Sequence, residues 1–210
     1  VLAQKIVSKA EGRWVHLSTV HPSPWARDLA ERTEKDPRLV ALILRESGEV
    51  LRTRPGLIVV EHRLGFVCAN AGIDRSNVRG DDDWVLLLPE NPDESAQKLR
   101  DQLEAASGTR IGVLIIDSHG RAWRMGTVGI TIGIAGLPGV VDMRGAPDLY
   151  GRELHVTQIG AADELAAAAS LVMGQAAEGR PAVHVRGFPY PLRDASLGEL
   201  LRLKEMDLFR

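Results

Sequence analysis

The sequence predicts an α+β fold of mixed sheets and helices. Three observations carry this. Apolar runs of strand length at 56–62, 65–68, 110–117 and 128–136 are interspersed with segments of helical period, without the regular βαβα alternation of a doubly wound parallel sheet. Helix starts are marked by Ser23-Pro24, Asp36-Pro37 and Asn91-Pro92, each a polar residue followed by proline. The run 128–136 carries glycine at every third or fourth position, which a helix would resist at about 1 kcal/mol per glycine relative to alanine. It therefore predicts a strand against which another backbone packs closely. At 210 residues the chain makes one domain, or two small interlocked ones, with room for a substantial core.

Taken in order, Val1 to Val7 reads as a strand entered midway, and the start without methionine leads us to expect an upstream segment. Residues 22–52 read as two helices, the second with Leu39, Leu42, Ile43, Leu44, Val50 and Leu51 at roughly helical spacing. Residues 56–62 and 65–68 read as a hairpin turning at Arg63-Leu64. Asn91-Pro92-Asp93-Glu94 opens a helix to about Ala106, closed by Gly108. Residues 110–117 read as a buried strand ending at Asp117. An alanine-rich helix is predicted from Ala161 to Met173, with Asp163-Glu164 near its positive end. A short strand at 182–186 and a terminal helix from Leu197 to Leu208 complete the reading.

Composition narrows the function. The formal charge of -2 argues against holding nucleic acid or anionic membrane by bulk electrostatics. The single cysteine, Cys68, excludes an intramolecular disulfide and suits a reducing interior; it reads as a buried small hydrophobe. No apolar run is long enough to span a membrane. Lys5, Lys9, Glu11 and Arg13 interrupt the start too soon for a signal peptide, so a cytoplasmic protein is expected. His62, His119, His155 and His184 share no metal-ligand spacing, which argues against zinc. The tryptophans do not interleave with a basic stripe, so no nucleic-acid platform is read.

Two aspartates stand out. Asp74 lies in Cys68-Ala69-Asn70-Ala71-Gly72-Ile73-Asp74-Arg75-Ser76-Asn77, and Asp117 in Gly112-Val113-Leu114-Ile115-Ile116-Asp117-Ser118-His119-Gly120-Arg121. An apolar run stopping at Asp can hold a carboxylate at a sheet rim for Mg²⁺ or Mn²⁺, with Ser118 and Asn77 near at hand for metal or phosphate. It can equally cap a turn. Arg121 and Arg124 offer two guanidinium forks after Asp117, suited to a carboxylate or phosphate, or to surface ion pairs. The stretch from Gly174 to Pro181 could bring backbone amides to an anion, but without the Walker A lysine and hydroxyl it reads better as a plain helix-to-strand connection. Lys9, at an expected strand end, could reach phosphate.

Four blocks occur in order: Val7-Ser8-Lys9-Ala10-Glu11-Gly12-Arg13, then Asn70-Ala71-Gly72-Ile73-Asp74-Arg75-Ser76-Asn77, then Asp117-Ser118-His119-Gly120-Arg121, then Asp148-Leu149-Tyr150-Gly151-Arg152-Glu153-Leu154. Together they resemble the coenzyme F420 gamma-glutamyl ligase family over essentially the whole chain. The resemblance implies a single ligase domain over 1–210, lacking an N-terminal segment of the family, in an intertwined homodimer of unusual α+β fold. It implies a GTP-dependent enzyme that joins L-glutamate through gamma-glutamyl amide bonds to the deazaflavin precursor of the coenzyme, using Mg²⁺ or Mn²⁺, with K⁺ as a further candidate. Asp74 and Asp117 become metal ligands and, with Arg121, the catalytic set; Ser118 and Gln175 join the metal positions. Lys9 and Asn77 contact GTP, and Met173-Gly174-Gln175-Ala176-Ala177-Glu178-Gly179-Arg180 wraps it. Arg121 and Arg124 hold substrate. Gln175 stands where archaeal members carry an acid, a poorer ligand for Mg²⁺. A metal-dependent phosphohydrolase and a non-catalytic nucleotide- or deazaflavin-binding module are the alternatives.

Overall fold

The computed structural model describes residues 1–78 and 80–208. It is α+β, as the sequence predicts, with helices and both parallel and antiparallel strand pairs. The chain divides into two compact units. Among the described residues, one takes in 1–3, 91–118 and 128–201; the other takes in 4–78, 80–90, 119–127 and 202–208. Among the described residues no helix is long and apolar enough to cross a membrane.

The first unit is built on a three-stranded sheet with β7 (Val113–Arg121) at its centre, between β1 (Leu2–Ala3) and β8 (Arg124–Ala135). Leu2 and Ala3 run parallel to Ile115 and Ile116. Leu114, Ile116, Ile134 and Leu137 pack against Ala162, Ala166, Ala169 and Met173 of α5 (Ala161–Met173) to form its core. The close approach expected at the glycines of 128–136 is present: a Cβ on Gly129 would lie 2.6 Å from the Ala166 carbonyl oxygen, and one on Gly133 would lie 2.5 Å from that of Pro92. Pro92 opens α4 (Pro92–Ser107), which ends at Gly108 in the left-handed conformation, φ 66°, as the sequence predicts. Acids in the first helical turns reach outward. Asp163 accepts from Thr131 N at 2.9 Å, and Asp93 accepts from Ile134 N at 2.8 Å and Leu197 N at 2.9 Å. A short pair, β9 (Val141–Asp142) with β10 (Gln158–Ile159), closes a protruding loop.

The second unit starts with α1 (Gln4–Ala10), whose Gln4, Val7 and Ser8 face inward. It continues with β2 (Trp14–His16), paired antiparallel to β6 (Trp84–Leu86). Helices α2 (Pro24–Thr33) and α3 (Pro37–Arg45) begin as predicted, with the Ser23 and Asp36 side chains accepting from Ala26 N and Arg38 N. A three-stranded meander follows: β3 (Ser47–Arg54), β4 (Leu57–His62) and β5 (Val67–Ala69). Leu17, Leu42 and Val85 are fully buried together, ringed by Val15, Val20, Leu39 and Ile73. The buried carboxylate of Glu46 is held by Arg13 at 3.2 Å and Arg63 at 3.0 Å, as a buried charge must be.

Several expectations are corrected. Val50 and Leu51 are strand, not helix: Gly48 follows the end of α3, Pro55-Gly56 makes a turn, and 47–54 pairs with 57–62. The start is strand only at Leu2–Ala3; burial of Gln4, Val7 and Ser8 at helical spacing turns it into α1, so Lys9 is on a helix. Strand β7 runs past Asp117 to Arg121. The 182–186 segment is no strand beyond one bridge, Ala182 to Leu2, because its partner β1 is two residues long. The 197–208 helix is replaced by short 3₁₀ turns at Leu197–Glu199 and Lys204–Met206. There, Glu199 is drawn off to Arg193 and Gly139 N, and Lys204 to Glu49 and Glu61.

Candidate active site

The two aspartates belong to different units, Asp74 to the second and Asp117 to the first. Asp74 is delivered by a turn, not by a strand end. Asn70, Ala71 and Gly72 take φ of 50°, 53° and 64°, three successive left-handed residues. Alanine in that region costs on the order of 1 kcal/mol or more, and here the full burial of Ala71 supports it. The Asn70 side chain accepts from Ile58 N at 3.1 Å, and a Cβ on Gly72 would lie 2.8 Å from Leu88. Asp74 then locks to Leu86 by two backbone hydrogen bonds of 2.9 Å. Its carboxylate accepts from Gln4 Nε2 and lies 3.2 Å from Lys5 Nζ.

Lys9 and Asn77, far apart in sequence, are brought together. Lys9 Nζ donates to the Asn77 carbonyl at 2.8 Å and sits 5.8 Å from the centre of the Trp14 ring. Lys5 Nζ donates to Ser76 Oγ at 2.9 Å. Lysines 5 and 9 are four residues apart on α1, on one face, so both ammonium groups lie over the 74–77 loop. This is the cationic lining a polyphosphate needs. Sequence reasoning assigned nothing to Gln4, Lys5 or Ser76. Reading 1–7 as a strand hid the helical spacing that would have linked Lys5 to Lys9.

Arg121 and Arg124 flank the two-residue turn between β7 and β8, where Trp123 takes φ 62°. The Arg121 guanidinium makes two long contacts, 3.4 Å each, to the carbonyls of Met125 and Gly126. Arg124 is exposed, as are Trp123 at 88% and Met125 at 96%. The arginines thus sit at an open hairpin tip, available to an anionic ligand.

In the first unit, Asp117 is half-buried on β7 and Ser118 is exposed beside it. Ser118 Oγ donates to Gln175 Oε1 at 2.7 Å, uniting two expected metal ligands across 57 residues of sequence. Ser118 and Gln175 bring a hydroxyl and an amide oxygen together, and Asp117 adds a carboxylate at the neighbouring strand position; these ligand types, without sulfur or imidazole, are ones Mg²⁺ and Mn²⁺ take, so by their chemistry the residues suit the metal. Among the described residues no three His, Cys, Asp or Glu side chains gather into a metal cluster of their own.

The loop after α5 is folded on a contact of its own. Gly174 has φ 77°, and a Cβ there would fall 2.2 Å from the Glu178 carboxylate carbon. Glu178 Oε2 accepts from Ala176 N at 2.8 Å. That backbone N–H, with those of Glu178 and Gln175, holds the Glu178 carboxyl below its ordinary range of 4.5. The backbone donors of this loop are thus turned inward on a carboxylate of the loop itself.

Comparison with known proteins places these residues in context. The family model described as F420-0:Gamma-glutamyl ligase matches residues 1–187. A protein of Methanothermobacter thermautotrophicus named Coenzyme F420:L-glutamate ligase is 54% identical over 212 residues, covering 100% of this chain and 83% of its own. Proteins of the same name from Methanopyrus kandleri and Methanocaldococcus jannaschii are 47% and 44% identical, covering 100% of this chain and 84% and 83% of theirs.

Proposed function

The chain belongs to the F420-0:gamma-glutamyl ligase family, and we propose that it is a GTP-dependent ligase that joins L-glutamate to the deazaflavin precursor of coenzyme F420. What carries this reading is the convergence of Lys9 with Asn77, and of Ser118 with Gln175, in a chain similar along its whole length to proteins of that name.

A carboxylate and an amine do not condense in water unaided. In the proposed reaction a carboxylate oxygen of the precursor attacks the γ-phosphorus of GTP and GDP leaves, giving an acyl phosphate. The glutamate amine then attacks the acyl carbon, phosphate departs and the nitrogen loses a proton. Phosphoryl transfer of this kind depends on positioning and charge neutralisation. Lys5 and Lys9 provide positive charge over the 74–77 loop, and the 173–180 loop is proposed to wrap the nucleotide once Glu178 gives up its N–H donors. Arg121 and Arg124 hold the phosphate of the precursor or the incoming glutamate. Asp74 in the second unit, and Asp117, Ser118 and Gln175 in the first, are each proposed as ligands for Mg²⁺ or Mn²⁺, which would supply Lewis acidity to the phosphoryl transfer; K⁺ is a further candidate ion.

We place the enzyme in the cytoplasm, as a homodimer. The exposed Leu149 and Tyr150 on the 142–158 loop support an apolar contact between copies. The test is release of GDP and phosphate with GTP, Mn²⁺, glutamate and precursor, omitting one at a time. The expected result is release that needs both acceptor and glutamate, with a product heavier by one glutamyl unit. Release without them would indicate a phosphohydrolase, and tight binding without turnover a nucleotide- or deazaflavin-binding module.

A further inference from the structure

Gln4 is 2% exposed and Ser8 is fully buried, one turn later on α1. Ser8 Oγ donates to Gln4 Oε1 at 3.0 Å, so the amide is turned with its NH₂ toward Asp74, and Gln4 Nε2 donates to Asp74 Oδ2. The other oxygen, Oδ1, faces Lys5 Nζ at 3.2 Å. Burying an amide is unfavourable unless it is bonded, and this one is bonded at both ends. The Ser8–Gln4–Asp74 chain therefore fixes the carboxylate plane and commits one oxygen permanently to a neutral donor. Lys5 is different. It is a flexible, 27% exposed side chain with a second acceptor, Ser76 Oγ, within 2.9 Å.

We infer that Gln4 is a positioning residue that presents Asp74 as a one-oxygen metal ligand, and that Lys5 is the resident cation which yields Oδ1 when the metal arrives. This rests on the reading of Asp74 as a metal ligand. Gln4 has no role in charge compensation; it removes one of the two binding modes open to a carboxylate and aims the remaining oxygen. Lys5 neutralises Asp74 without the metal, then swings to Ser76 and to whatever anion lies over the loop. The two residues therefore affect metal binding with opposite sign, which a purely structural role for either does not produce.

The experiment is Mn²⁺ titration of the purified protein, followed by the electron paramagnetic resonance of free Mn²⁺, alongside thermal unfolding with and without Mn²⁺. Gln4→Leu should weaken Mn²⁺ binding by roughly 10-fold or more, as outer-shell partners of metal ligands typically do. Ser8→Ala should weaken it by a smaller factor. Lys5→Met, at a partly exposed site that folding tolerates, should tighten it by roughly 2- to 5-fold, the scale of a solvent-accessible ion pair. It should also lower the melting temperature of the metal-free protein but not of the Mn²⁺-saturated one. In turnover, Gln4→Leu should raise the Mn²⁺ concentration for half-maximal rate while kcat recovers at saturation. Unchanged Mn²⁺ binding in Gln4→Leu and Ser8→Ala, or weaker binding in Lys5→Met, overturns the inference while leaving Asp74 as a ligand. Mn²⁺ binding that Asp74→Asn does not alter overturns the metal reading of Asp74, and this inference with it.

Discussion

The two aspartate segments solve one problem by opposite means. Asp74 is presented by a turn of three successive left-handed residues, pinned by a single pair of backbone bonds to Leu86. Asp117 sits inside a nine-residue strand whose preceding residues are all buried. In the first, precision comes from a conformation that only a packed environment sustains; in the second, from the regular pleat of the sheet. Here the turn places the carboxylate beside Lys5 of a helix. The cost is that its geometry depends on Gly72 and the full burial of Ala71.

The comparison breaks first at the carboxylates themselves. Asp117→Asn, with its strand intact, should unfold at the wild-type temperature and lose roughly 10³-fold in kcat, about 4 kcal/mol of transition-state stabilisation, if the Asp117 charge is used in catalysis. Steady-state rates at saturating Mn²⁺ measure this, and a wild-type rate there sinks the assignment. Next come the supports. Gly133→Ala sets a methyl against the Pro92 carbonyl oxygen, a backbone atom at 2.5 Å, and should cost about 3 kcal/mol in denaturant unfolding. Gly72→Ala meets the Leu88 side chain at 2.8 Å, at φ 64°; the side chain can shift, so about 1–2 kcal/mol is expected. If the Gly72 change costs more than the Gly133 change, the turn is the stiffer device of the two. Ser118→Ala should raise the Mn²⁺ needed for half-maximal rate by roughly 10-fold with little change in stability.

The smallest effect concerns pH. The Glu178 carboxyl is held below 4.5 by the Ala176, Glu178 and Gln175 N–H groups. A depressed carboxyl contributes its contact above the unfolded value and loses it as pH falls through the folded one. The protection of the Ala176 amide, relative to its intrinsic exchange rate at each pH, should therefore hold at neutral pH and fall only in acid, below the ordinary carboxyl range. In Glu178→Gln that acid-dependent step should vanish.

Much of this was legible in the sequence because it is written in local chemistry. Ser23-Pro24, Asp36-Pro37, Asn91-Pro92 and Gly108 mark helix ends wherever they occur, and α2, α3 and α4 begin, and α4 ends, where those residues say. The glycines of 128–136 foretold a close backbone approach. What was hidden depends on partners distant in the chain. Val50 and Leu51 keep a helical rhythm, yet pair as strand because 57–62 lies opposite. Residues 197–208 have helical spacing, but Glu199 and Leu197 N are engaged by Arg193 and Asp93, and Lys204 by the acids of β3 and β4. At the site, the aspartates, Lys9, Asn77 and Ser118 were visible as motifs. Gln4, Lys5 and Ser8 were not, since their meaning comes only from α1 lying over the 74–77 loop.

Asp93 and Asp163 reach from the first turns of their helices to the backbone N–H groups of β8, and β8 is an outer strand of its sheet. An outer strand with free donors is a template on which another extended chain can add. Here the donors of Thr131 and Ile134 are already spent on carboxylates, so an incoming strand would meet negative charge where it needs amide hydrogens. The long glycine-bearing strand is thereby denied to strand addition at those positions. At Thr131 and Ile134, copies of this protein can meet only through side chains and not by extending the sheet.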